Sequence, residues 1–146
     1  MNDLIVQNFD RFLARPHMIW ATLAYVILLV GLSLRKKNRL LHGRLMGFAI
    51  FLDLALVLLL QIERNAIDTA VNLRLTPLQM CHVLSSTIAT VLYFPTLYFG
   101  FKCLRQIGSP TADRPMLRKK HLRFAVPAFI FRTIGFLFMF SLLPKD

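Results

Sequence analysis

The chain has 146 residues, 56% of them hydrophobic and 13 of them Phe, which suits one domain and is too apolar for an ordinary soluble fold. Its formal charge of +11 lies in two stretches, +5 over residues 35–44 and +6 over residues 102–123; the two termini and the middle loop are each neutral, and Asp53 cancels Arg132. Basic residues gathered in this way read as membrane topology and contact with anionic lipids, and exclude nucleic-acid binding as their role.

In chain order, Leu4, Ile5, Phe9, Phe12 and Leu13 recur at helical spacing among polar residues, which predicts a short amphipathic helix lying on the membrane surface and ending at Pro16. A first apolar run follows, Met18 to Leu34, with His17 at its mouth and Trp20 at the depth where indole rings are favoured. Basic residues rather than a small-residue cleavage site come after it, so it stays as a helix and is not a signal peptide. His42 opens the second run, Leu45 to Ile62, whose middle carries Asp53. Thr76-Pro77-Leu78-Gln79 then has the signature of a helix start, with Thr as cap, Pro at the first position and Gln three after the cap.

The third run, Met80 to Leu104, carries His82, Ser85 and Ser86 in its first turns and Pro95 deeper, where a kink is expected. Cys81 and Cys103 stand at its two ends, about 33 Å apart on a helix, too far for a disulfide with each other. Gly108 to Met116 forms the one long flexible connection. His121 then precedes the fourth run, Phe124 to Leu143, with Pro127 as a second expected kink. Each run approaches the roughly 20 residues that a helix needs to cross a bilayer, and no period-two alternation suggests a barrel.

The expected fold is therefore all-α: an integral membrane four-helix bundle forming a single domain over residues 1–146, with a short N-terminal interfacial helix. By the positive-inside rule, loops 35–44 and 102–123 are cytoplasmic, with both termini and the middle loop outside. Runs one and two and runs three and four are marked alike, each pair having a histidine at the outer start, a basic linker and a histidine on the return. This suggests two repeated helical hairpins.

Asp53 lies eleven residues after His42, and Arg132 eleven after His121. Eleven residues are three helical turns, so each charge shares a face with its histidine, roughly 16 Å further on. An isolated charge at membrane depth is costly, so equal depth predicts a buried ion pair between Asp53 and Arg132 that fixes helix register or relays protons. The topology also sorts the histidines into an inner level, His42 and His121, and an outer level, His17 and His82. Two imidazoles at one level on facing helices can ligate a haem iron axially, or a metal ion without porphyrin. Both inner histidines also sit among lysines and arginines, where capping a helix or touching a phosphate explains them equally. At the outer level, His17 and Met18 with Met80, Cys81 and His82 offer soft ligands for Cu(I) if runs one and three are neighbours; packing by Met and Cys is the plainer account. No nucleophile–base set, phosphate loop or metalloprotease motif occurs, so the chain is not expected to be an enzyme.

Leu41-His42-Gly43-Arg44-Leu45-Met46, His82 in its apolar helix, and Lys119-Lys120-His121-Leu122-Arg123 followed by Pro127 resemble the openings of the second, third and fourth spans of the YozB/CtaM-like family. Those are small four-helix membrane proteins of bacteria, and the likeness covers roughly residues 35–143. Gly43 stands where the family usually has a basic residue. The resemblance implies a role in maturing haem-containing terminal oxidases in the bacterial inner membrane, with His42, His82 and His121 as the positions carried over.

Three functional expectations follow. The first is a non-catalytic haem-handling or oxidase-assembly factor in which His42 and His121 hold haem b and His82 contributes from the outer side, its partners being membrane lipids and oxidase subunits. The second is an accessory subunit of a larger respiratory or photosynthetic complex, docked through Phe129, Phe136 and Phe140. The third is a small bis-histidine b-type cytochrome with haem at both histidine levels.

Overall fold

A computed structural model describes residues 16–64, 76–107 and 114–139. The surface helix expected over Leu4 to Leu13, most of the middle loop and Phe140 lie outside the described residues. Among the described residues there are four helices: α1 Pro16–Ser33, α2 Arg39–Arg64, α3 Pro77–Arg105 and α4 Arg114–Met139. All four are long and apolar enough to cross a membrane, and the chain is a multi-pass membrane protein built as a four-helix bundle.

Local chemistry sets the helix ends. Pro16 opens α1, where a missing N–H costs no helical hydrogen bond. Asn38 caps α2: its Oδ1 accepts from Leu41 N at 2.9 Å, and its carbonyl takes the first helical bond from His42 N. At α3 the capping box is closed in both directions, Gln79 N to Thr76 Oγ1 at 3.4 Å and Thr76 N to Gln79 Oε1 at 3.0 Å. The helix on the return side starts earlier than the apolar runs suggest. Basic residues are good helix formers, so α2 begins at Arg39 and α4 at Arg114, and His121 lies two turns inside α4 rather than at its start. Pro115 and Met116, assigned above to the flexible connection, belong to the first turn of α4. Both α3 and α4 run on through Pro95 and Pro127.

Packing is strongest within two antiparallel hairpins, α1 with α2 and α3 with α4, and the hairpins meet through α2 with α3 and α1 with α4. Going round the bundle, each helix therefore neighbours the next in sequence, and α2 and α4 stand on a diagonal. The interior is narrow and lined largely by small residues: Ala21, Ala24, Ala49, Ala89 and Ala128 are all buried. Large apolar side chains face outward instead, Phe51, Leu58, Leu84, Phe94 and Leu137 among them. This inverted distribution fits lipid as the surrounding solvent, where close approach of small residues drives helix association. Gly135 shows how close that approach is, since an added Cβ would stand 2.6 Å from Ser86 Oγ and 3.3 Å from Ser86 N. At the end of the bundle carrying the basic linkers, Leu104 fills the space a side chain would need at Gly43, with its Cδ1 2.6 Å from such a Cβ.

Two small clusters hold the bundle above and below its middle. Met18, Ala21 and Met139 pack with Leu56 and Phe136 at the neutral end, while Ile50, Tyr93 and Ala128 pack with Leu54, Leu92 and Leu97 nearer the basic end.

Candidate functional site

Asp53 and Arg132 meet across the α2–α4 diagonal. The contact is bidentate, Arg132 Nε to Asp53 Oδ2 at 2.6 Å and Nη2 to Oδ1 at 2.7 Å, and each residue is only 7% exposed. Fork-to-fork geometry of this kind gives the strongest carboxylate pairing available to a side chain. Tyr93 of α3 donates its hydroxyl to Asp53 Oδ2 at 2.7 Å, and Ala21 of α1 offers its carbonyl to Arg132 Nη2 at 3.4 Å. All four helices thus converge on one pair of opposite charges. Tyr25 extends the network: its ring lies 5.9 Å below the guanidinium and stacks on Phe136 at 4.2 Å, and its hydroxyl donates to Thr133 Oγ1 at 3.0 Å. Phe136 is half-buried, stacked on Tyr25 and packed against the Met18 cluster. Neither tyrosine was singled out from the sequence, although a phenol in an apolar run needs a partner for its hydroxyl and so marks a buried polar contact.

Three of the four histidines share one device. His42 Nδ1 donates to the Gly31 carbonyl at 2.7 Å, His82 Nδ1 to the Gly135 carbonyl at 2.7 Å and His121 Nδ1 to the Thr96 carbonyl at 3.2 Å. A carbonyl oxygen only accepts, so each Nδ1 carries the hydrogen and each neutral ring keeps its lone pair on Nε2. Every acceptor sits fourteen residues after a histidine: Gly31 after His17, Thr96 after His82 and Gly135 after His121. His121 also packs against the bare backbone of Gly100, where an added Cβ would lie 3.4 Å from the ring.

His42 and His121 both stand toward the basic end, on the two diagonal helices. His17 and His82 occupy the neutral end. Chemically, the arrangement offers oriented imidazoles whose Nε2 can donate an electron pair to a metal or haem iron, the tautomer being held from behind by a backbone carbonyl.

The soft-ligand cluster proposed for copper is not brought together. Met18 is buried against Ala21 and Met139, while Met80 and Cys81 are exposed on α3. Among the described residues, no three of His, Cys, Asp or Glu gather as a metal site. A scan against protein-family models, a search of curated proteins and a search of solved structures each returned no match.

Proposed function

We propose that this membrane protein handles haem and serves the assembly of a haem-containing terminal oxidase, as its likeness to the YozB/CtaM-like family implies. The observation that supports the reading is the shared orientation of His42, His82 and His121, each donating from Nδ1 to a helix carbonyl and keeping Nε2 for a ligand. This donor chemistry fits haem iron, and the residues that would hold it are His42 and His121. Bound there, haem would supply a redox-active iron; the chain's own part is to fix both rings and raise their basicity through the carbonyl bonds. Asp53, Arg132, Tyr93 and Tyr25 then act as the internal fastening that sets the two diagonal helices. In this reading the basic linkers face the cytoplasm of a bacterial cell and the neutral end faces outward.

The test is an oxidised and dithionite-reduced optical spectrum of the detergent-purified protein, with metal analysis on the same sample. A sharp reduced α-band at one haem per chain, lost in both His42→Ala and His121→Ala, supports the proposal. A protein purified colourless from cells supplied with haem, and remaining colourless when titrated with haemin, would overturn it; stable co-purification with a large complex would then identify an accessory subunit.

A further inference from the structure

We infer that the basic end carries a defined site for an anionic phospholipid whose headgroup bears a hydroxyl. Where the end of α3 meets the start of α4, Lys102, Arg105, Gln106, Met116, Leu117 and Lys120 enclose an open cleft of about 450 Å³. Three cations on one cleft attract a phosphate, and at the membrane surface each basic side chain adds measurably to anionic-lipid binding. The cleft also has apolar walls, Met116 and Leu117, along which the glycerol and first methylenes of an acyl chain can lie. Lys102 is held over the exposed ring of Tyr98, its Nζ 4.5 Å from the centroid, which fixes one of the cations at the depth where tyrosines border a membrane.

Gln106 supplies the selectivity. Gln106 lines the cleft, and its Oε1 is buried with no hydrogen-bond partner, a costly state for an acceptor. A phosphate has no proton to give it at neutral pH, but a glycerol headgroup does. Turning the terminal amide toward the cleft satisfies Oε1 with that hydroxyl while the cations hold the phosphate. The site therefore takes phosphatidylglycerol-type lipids in preference both to zwitterionic lipids and to anionic lipids without a hydroxyl. None of the residues lining it is a histidine, and it does not depend on haem.

The experiment is native mass spectrometry of the full-length protein titrated with phosphatidylglycerol, phosphatidylmethanol or phosphatidylcholine. Phosphatidylmethanol has the same charge as phosphatidylglycerol and no hydroxyl. The wild type is expected to bind phosphatidylglycerol roughly tenfold or more tighter than phosphatidylcholine, and several-fold tighter than phosphatidylmethanol. Lys102→Gln with Lys120→Gln should bring phosphatidylglycerol down to the phosphatidylcholine level, and Gln106→Leu should erase only the difference between the two anionic lipids. Thermal melts matching wild type establish that the variants are folded. The inference is overturned if the wild type does not rank the three lipids in this order, or if Lys36→Gln with Lys37→Gln on the other linker costs as much as the cleft pair. Displacement of the lipid by millimolar inorganic phosphate would overturn the lipid assignment in favour of a free anion.

Discussion

His82 and His121 are tied to each other's helices by a single register: His82 donates to the carbonyl fourteen residues after His121, and His121 to the carbonyl fourteen residues after His82. In an antiparallel pair, residues at one level have a constant sum of positions, so a register that seats one ring seats the other. The same spacing from His17 selects Gly31 as the acceptor for His42 in the first hairpin. By that register Leu56 is level with His17, and Leu56 indeed packs at the neutral end beside Met18.

This geometry fixes a tautomer. Histidine NMR with ¹⁵N-labelled rings in detergent micelles should show His42, His82 and His121 protonated at Nδ1 and unprotonated at Nε2 at alkaline pH, unlike the Nε2–H form preferred by the free side chain. Finding the proton on Nε2 of His82 or His121 would contradict the carbonyl bonds and the ligand geometry built on them.

Close packing within the second hairpin gives a sharper mechanical test. Gly135→Ala places a methyl 2.6 Å from Ser86 Oγ and 3.3 Å from the Ser86 amide nitrogen, so α3 and α4 must separate locally. The expected loss is roughly 1–3 kcal/mol in reversible unfolding, the range for overpacked interiors. Ser86→Ala removes the nearer atom, whose hydroxyl has no hydrogen-bond partner to lose. Combining the two should recover part of the stability, and strict additivity of the losses would refute the contact.

How much of this was legible in the sequence depends on what each feature needs. The four spans required only hydropathy, and the Asp53–Arg132 contact followed from equal spacing to a histidine on each helix. Helix starts at Arg39 and Arg114 were hidden because a helix can continue outside the apolar run on basic residues of good propensity. The acceptors of the histidines were not legible because a backbone carbonyl has no sequence identity; only the fourteen-residue spacing, visible after the fact, marks Gly31, Thr96 and Gly135. The grouping of Met18 with Met80 and Cys81 failed for a different reason. It required Met80 and Cys81 to face the bundle interior, and both are exposed on α3 while Met18 is buried against Ala21 and Met139.

The ion pair should behave as a fastening that tolerates joint removal better than single removal. Arg132→Leu strands the Asp53 carboxylate in the interior with only Tyr93 to answer it, and a loss of about 3–5 kcal/mol is expected. Asp53→Leu with Arg132→Leu leaves no buried charge and should regain much of that. Tyr93→Phe, which removes one hydrogen bond to a charged acceptor, should cost about 1.5–3 kcal/mol. A double variant less stable than either single one would show that the charges do more than bind each other, for which proton movement through the site is the experiment to run next.

The haem proposal makes a prediction that separates a ligand from a merely structural histidine. His121 has its ring against Gly100 and its Nδ1 on the Thr96 carbonyl, so His121→Ala removes both an electron-pair donor and a packed ring. If the ring only braces α3 against α4, free imidazole has nothing to restore except volume. Should it ligate iron, imidazole diffusing into the vacated space between Gly100 and Thr96 can donate from one nitrogen and hydrogen-bond from the other, as the native ring does. Millimolar imidazole is then expected to restore the reduced low-spin α-band to His121→Ala protein reconstituted with haemin, while leaving wild type unchanged. The same treatment of Asp53→Asn protein should do nothing, because that substitution weakens the fastening without opening a ligand position. Equal spectra for His121→Ala and wild type before any imidazole is added would remove His121 from the iron, and with it the paired-histidine site.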